Sequence, residues 1–207
     1  MQKRAIARSW LIWSLAVLFL FYEFFIRVFP TAMVAELMSA FKVNAGRLGL
    51  LSAFYFYSYA PMQIPVGLLM DRFGARKLLT FASLICAIGA FAFSFSFDFS
   101  IAAVGRFLMG VGSAFGFAGM VYVCSHFFPQ KKMAMLVGIG NSIGMLGAVG
   151  AEGPLSLFVG RFGWRIIVQF FGCIGLIIAF FIFLFIQREK QEDKNKQVKI
   201  ATKYLIS

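Results

Sequence analysis

The sequence predicts an all-α membrane protein with six transmembrane helices, and three observations carry that expectation. Apolar residues make up 61% of the 207, with 28 Phe among them, and the mean hydropathy of +0.85 lies far above that of a water-soluble domain. These residues fall in continuous runs, each near or above the roughly 20 residues that cross a ~30 Å hydrocarbon core as helix. The runs are continuous, whereas a membrane barrel would show short alternating segments.

In order, the runs cover 10–29, 48–70, 78–97, 99–128, 133–158 and 164–186. The first follows a basic start, "MQKRAIARSW", of a kind that secretory signals share. No early A-x-A-like cleavage site interrupts it and five runs follow, so it is expected to remain as the first helix. The second run, "LSAFYFYSYAPMQIPVGLL", places Ser52, Tyr55, Tyr59 and Gln63 at helical spacing. That polar and aromatic stripe could line a cavity and hydrogen-bond a polar solute, although Tyr near an interface is also an ordinary belt residue. Pro61 and Pro65 are expected to kink this helix.

Cys86, Cys124 and Cys173 are dispersed over the third, fourth and sixth runs without C-x-x-C spacing, so neither a disulfide nor a metal site is expected. His126 near the end of the fourth run reads as an interfacial residue. In the fifth run Gly140, Gly144 and Gly147 stand at near-helical spacing, with Gly153 and Pro154 beyond, a pattern that serves close helix packing. After the sixth run "QREKQEDKNKQVKIATKYLIS" is polar, mixed in charge and poorly periodic. The expected organisation is a six-span bundle over 1–187 and a cytoplasmic linker over 188–207.

Short cytoplasmic loops retain Lys and Arg. With the N-terminus inside, 14 of the 20 basic residues fall on inner segments, against four (Lys42, Arg47, Arg161 and Arg165) on outer ones; Arg27 and Arg106 lie within spans. Both termini are therefore expected in the cytoplasm, with the protein in the cell (inner) membrane as a multi-pass chain. The net charge of +12 then follows from topology and attraction to anionic lipid, and nucleic acid is not expected as a partner.

The link between the second and third runs, "GLLMDRFGARK", reads G-x-x-x-D-R-x-G-x-R-K, with Gly67, Asp71, Arg72, Gly74, Arg76 and Lys77 in place. Gly67 would let a neighbouring helix approach closely, Gly74 would permit a tight turn, and Asp71 could receive a helix N-terminus or a basic partner. A positive-inside loop accounts for Arg76 and Lys77 and leaves Asp71 unexplained. In residue types, spacing and position this link resembles the signature of the major facilitator superfamily. "GRFLMGVGSAFG", with Arg106, Gly110 and Gly112, resembles that family's R-x-x-x-G-x-G pattern, and "GRFGWR" its junction before the sixth span. The fifth run matches the antiporter signature only loosely, since Gly144 is followed by Met145 where the motif has Pro, so drug antiport is not inferred. The resemblance implies the N-terminal half of a facilitator, whose two six-span halves rock about a midplane site, and a gate-latch role for Asp71 and Arg72. A half-length transporter that must pair with a second copy or a separate C-terminal half is one expectation; a truncated remnant or membrane scaffold is the other.

Glu23, Arg27, Arg106 and Glu152 lie within the runs, where a charge costs at least ~2.5–3.5 kcal/mol and persists only with a partner or water. Glu23 and Arg27 share a helix face and can pair. Arg106 lies deeper, about seven residues or roughly 10 Å from the outer end of its span. All four fall in the outer half, so snorkelling at the surface is the plain alternative. Arg offers a fixed fork of donors to a carboxylate or phosphate, and a buried Glu can carry a proton. "YEFFIR" with Arg106 is similar to the organic anion:cation symporter branch of the superfamily. The expectation is alternating-access transport of a small organic anion coupled to protons: Arg27, Tyr55, Tyr59, Gln63 and Arg106 line the cavity, and Glu23 and Glu152 carry the proton. No Gly-rich phosphate loop, metal cluster or nucleophile–base pair is present to suggest an enzyme, and no cofactor is expected.

Overall fold

The computed structural model describes residues 2–186; the expected linker over 188–207 lies outside them. The chain begins with α1 (Gln2–Val28), whose end is dictated by Pro30: its ring disfavours helical geometry at Phe29 and it has no N–H for the helix ladder. A 3-10 turn (Phe29–Met33) and a short helix, α2 (Val34–Phe41), follow, burying Phe29, Met33, Leu37 and Phe41. Lys42, at φ 52° in the left-handed region, ends α2. Asn44 starts α3 (Ala45–Phe73), its side chain accepting a hydrogen bond from the Arg47 N–H at 2.9 Å.

α3 runs on as one helix through Pro61 and Pro65. Gly74 closes it with φ 78°, a backbone angle that Gly adopts without steric cost, and α4 (Ala75–Ser94) leaves at once. The tight turn expected of Gly74 is thus present. Gly67 differs from expectation: a Cβ added there would meet nothing within 4 Å. It lies on the outward face of α3 with Ile64 and Leu68, which are 82% and 74% exposed, and no neighbouring helix covers that face among the described residues.

α5 (Phe99–Phe127) and α6 (Gln130–Glu152) follow. The expected fifth span over 133–158 is divided, because Pro154 has no N–H for the ladder of α6. Instead it opens a separate helix, α7 (Pro154–Phe162), at a position where its fixed φ suits a helix start. Gly163, at φ 81°, links α7 to α8 (Trp164–Phe185).

The long helices form one bundle centred on α5, which packs against α1, α3, α4 and α6, while α8 packs on α4 and α1. Among the described residues, five segments are long and apolar enough to cross a membrane: Ile6–Phe41, Ala75–Ser94, Phe99–Phe127, Gln130–Glu152 and Trp164–Phe185. α3 has the length, 29 residues, but its Tyr, Ser and Gln stripe lowers its hydropathy.

Small residues on both helices set a close crossing of α4 and α5. A Cβ on Gly105 of α5 would lie 2.8 Å from the Gly89 carbonyl of α4, and one on Gly89 would lie 2.7 Å from the Gly105 carbonyl. Backbone therefore meets backbone here, and van der Waals packing holds the pair. Gly105→Ala is expected to force the helices apart at a cost of about 1–3 kcal/mol. Thiol labelling of buried Cys86 on α4 during thermal unfolding would read it as a lower midpoint; an unchanged midpoint would show that the crossing is not this tight.

The spaced glycines of α6 do not face outward. Gly140, Gly144 and Gly147 are buried against Val17, Leu20 and Phe21 of α1. The close packing expected of them is present, and it is internal to the bundle. The uncovered side of α6 carries Met135, Ile139, Met145, Leu146 and Val149 instead.

Candidate functional site

Glu23 lies on the last turns of α1 with no exposed surface. It fits there because α5 presents Gly116, where an added Cβ would come within 2.9 Å of the Glu23 Cγ. A buried carboxylate needs partners, and two are present. The Nη2 of Arg27, one turn on, donates to both carboxylate oxygens at 3.0 and 2.9 Å. The Tyr55 hydroxyl of α3 donates to Oε2 at 3.3 Å and accepts from Arg27 Nε at 3.3 Å. Acid, base and phenol thus form a closed triangle that ties α1 to α3.

Arg27 is the partly open member, with 19% of its side chain exposed. Its guanidinium carbon lies 4.6 Å from the Phe24 ring centre and 4.7 Å from that of Tyr59, contacts that favour a cation through the ring quadrupoles. Tyr59 stacks on Tyr55 with centroids 5.9 Å apart. Gln63, one turn further, is exposed. Among the described residues Nη1 of Arg27 has no hydrogen-bond acceptor, so this edge of the fork keeps donors to spare.

Arg106 was expected on the same wall and lies behind it. The side chain has no exposed surface; its guanidinium carbon stands 4.7 Å from the Tyr55 ring centre and 5.3 Å from that of Phe29. Nη1 donates to the Ile26 carbonyl at 2.7 Å and Nη2 to the Arg27 carbonyl at 3.0 Å. The ladder donor for Ile26 would be the N–H of residue 30, and Pro30 has none. Arg106 supplies the missing donor and places a positive charge at the negative end of the α1 dipole. Arg165 repeats the arrangement on α4: its Nη1 donates to the Ser94 and Ser96 carbonyls at 2.8 and 2.6 Å.

Glu152 does not join the group. It is exposed at the end of α6 and makes no hydrogen bond or ion pair among the described residues. Asp71 and Arg72 are exposed at the end of α3, while Arg76 and Lys77 open α4. Pro30, Gly116 and Phe24 belong to the site yet do not stand out in the sequence. Only the run of small residues from Gly110 to Gly116 hinted that α5 admits large groups from neighbouring helices.

The family model described as Major Facilitator Superfamily matches residues 13–206. The chain belongs to the major facilitator superfamily. Among curated relatives, the uncharacterized transporter YybO of Bacillus subtilis is 28% identical over 200 residues, covering 95% of this chain and 44% of that protein. The probable sulfoacetate transporter SauU of Cupriavidus necator is 26% identical, covering 95% and 45%, and the probable galactarate/D-glucarate transporter GudP of Escherichia coli 27%, covering 86% and 41%. The chain therefore spans less than half the length of these relatives. In fold it is similar to a bacterial homolog of the human lysosomal transporter Spinster, with TM-score 0.77 and 20% identity over 88% of this chain and 43% of that one.

Proposed function

We propose that this facilitator bundle forms one half of a proton-coupled transporter for a small organic anion. The observation that carries the reading is the half-open Arg27: its charge is balanced by buried Glu23, and part of its donor fork is left for a ligand. An incoming carboxylate or sulfonate would compete with Glu23 for the guanidinium. A proton taken up by Glu23 would release Arg27 to the anion, so anion and proton would bind together and leave together. Tyr55 positions both groups, Tyr59 and Gln63 supply the neighbouring wall, and Arg106 is a positioning residue that fixes the end of α1. Relatives named for sulfoacetate and for galactarate and D-glucarate support an anionic substrate.

In this reading the uncovered faces of α3 and α6 meet a second six-helix unit, which completes the cavity. That unit is a continuation of the chain, a separate half or a second copy. The basic links support a location in the cell (inner) membrane with both termini cytoplasmic, and in this reading Asp71 and Arg72 form part of the gate on that side.

The test is uptake of a panel of carboxylates and sulfonates driven by a pH gradient, with the protein reconstituted at increasing dilution and a cysteine at Ser9 reporting sidedness. Saturable uptake is expected only where two six-helix units crosslink, with Ser9 reached from the cytoplasmic side. Uptake by demonstrably single bundles would refute the pairing, and no uptake even with a second unit supplied would refute anion transport. Asp71→Asn in the same vesicles is expected to slow transport at unchanged abundance; normal rates would remove the gate role.

A further inference from the structure

Beside the Gly74 turn, at the end of the bundle where α4 begins and α8 finishes, a cleft of about 510 Å³ opens between the two helices. It is lined by Arg76, Lys77, Thr80, Phe81, Leu84 and Phe183. Two cations stand at its mouth, and no carboxylate is among the described residues that line it. Arg76 is held over the Phe183 ring, its guanidinium carbon 4.4 Å from the centroid. Two polar atoms of the cleft are buried without a hydrogen-bond partner among the described residues: Arg76 Nε and Thr80 Oγ1. Buried polar groups are paired in the great majority of cases, and each exception calls for a partner. These two sit one helical turn apart, on the same side of α4 as the mouth of the cleft.

The walls below the cations are apolar. Phe81, Leu84 and Ile88 follow one another at helical spacing on α4 and are exposed, as is Phe183 on α8. A ligand that fills this cleft must be anionic at one end, accept several hydrogen bonds there, and be hydrocarbon at the other. We propose that the α4–α8 cleft is a binding site for an anionic phospholipid. The phosphate oxygens accept from Arg76, Lys77 and the Thr80 hydroxyl, and an acyl chain lies along Phe81, Leu84 and Ile88. Basic pockets between membrane helices take lipid headgroups in this way, and the planar fork of Arg suits a phosphate better than a point charge does. A free phosphate would satisfy the cations but leave the apolar groove uncovered, so the lipid is the occupant that accounts for both halves of the site. The inference does not depend on the transport reading.

The experiment is native mass spectrometry of the purified chain in a neutral detergent, titrated in turn with phosphatidylglycerol, phosphatidylcholine of the same acyl chains, and inorganic phosphate. Phosphatidylglycerol is expected to be retained at least tenfold more tightly than phosphatidylcholine, and inorganic phosphate should neither bind nor displace it. Arg76→Gln combined with Thr80→Val should abolish the preference. Leu84→Trp, which fills the cleft and keeps both cations, should also abolish it, and this variant keeps the test decisive if the first fails to fold. Lys131→Gln with Lys132→Gln, which removes two cations outside the cleft, should leave it intact. Equal retention of the two lipids, or a preference that survives Leu84→Trp, would overturn the site. Displacement by inorganic phosphate would overturn the lipid and assign the cations to a free anion.

Discussion

Replacing Arg106 by Met is expected to destabilise the bundle by about 2–4 kcal/mol, because the Ile26 and Arg27 carbonyls each lose a buried donor at a cost of roughly 1–3 kcal/mol. Some of that loss is offset, since a buried guanidinium carries a desolvation penalty of its own. The loss still dominates: Ile26 has no backbone donor to fall back on while Pro30 follows it. That dependence makes the cause testable. Pro30→Ala restores an N–H one turn beyond Ile26, so the double variant Pro30→Ala, Arg106→Met should recover part of the lost stability, although the two residues are far apart in sequence. Arg106→Lys should fall between, because one compact ammonium replaces a fork that reaches two carbonyls. Unfolding midpoints read from labelling of Cys86 would settle the ordering. Equal losses with and without Pro30 would show that Arg106 does not act through the end of α1.

The partnership of Arg106 with Pro30 illustrates what the chain reveals before it is folded. Hydrophobic run length alone placed the long helices, since a membrane helix satisfies its backbone locally and needs only enough apolar residues to cross the core. The break at Gly153–Pro154 was visible as residues but not as a break, because Pro at the first position of a helix and Pro inside one look alike in sequence. Glu23 and Arg27 could be paired in advance because they lie one turn apart on a single helix. Their closure by Tyr55 could not, because it depends on how α3 is rotated against α1, and that rotation is set by close contacts of α5 with both. Arg106 was legible as a buried charge but not as a cap: an Arg aimed at a ligand and one aimed at backbone carbonyls carry the same side chain. Spacing was likewise incomplete on α6, where small residues announce close packing without saying which neighbour they meet; α1 fills that place.

Replacing Glu23 is expected to have a second large effect, because in the proposed mechanism this buried acid exchanges a proton while Arg27 exchanges an anion. Glu23→Gln keeps the size and hydrogen-bonding capacity of the protonated acid but cannot lose the charge-carrying proton. Arg27 would then lack its counter-charge at all pH values, and the anion would bind without competition. The decisive measurement compares two modes of movement of one carboxylate by this variant in vesicles that hold the paired transporter: accumulation driven by a pH gradient, and exchange against the same carboxylate at equal pH on both sides. The proposed mechanism predicts that accumulation falls at least tenfold, to the level seen without a gradient, while exchange continues near the unmodified rate, since exchange moves no net proton. Undiminished accumulation by Glu23→Gln would contradict it.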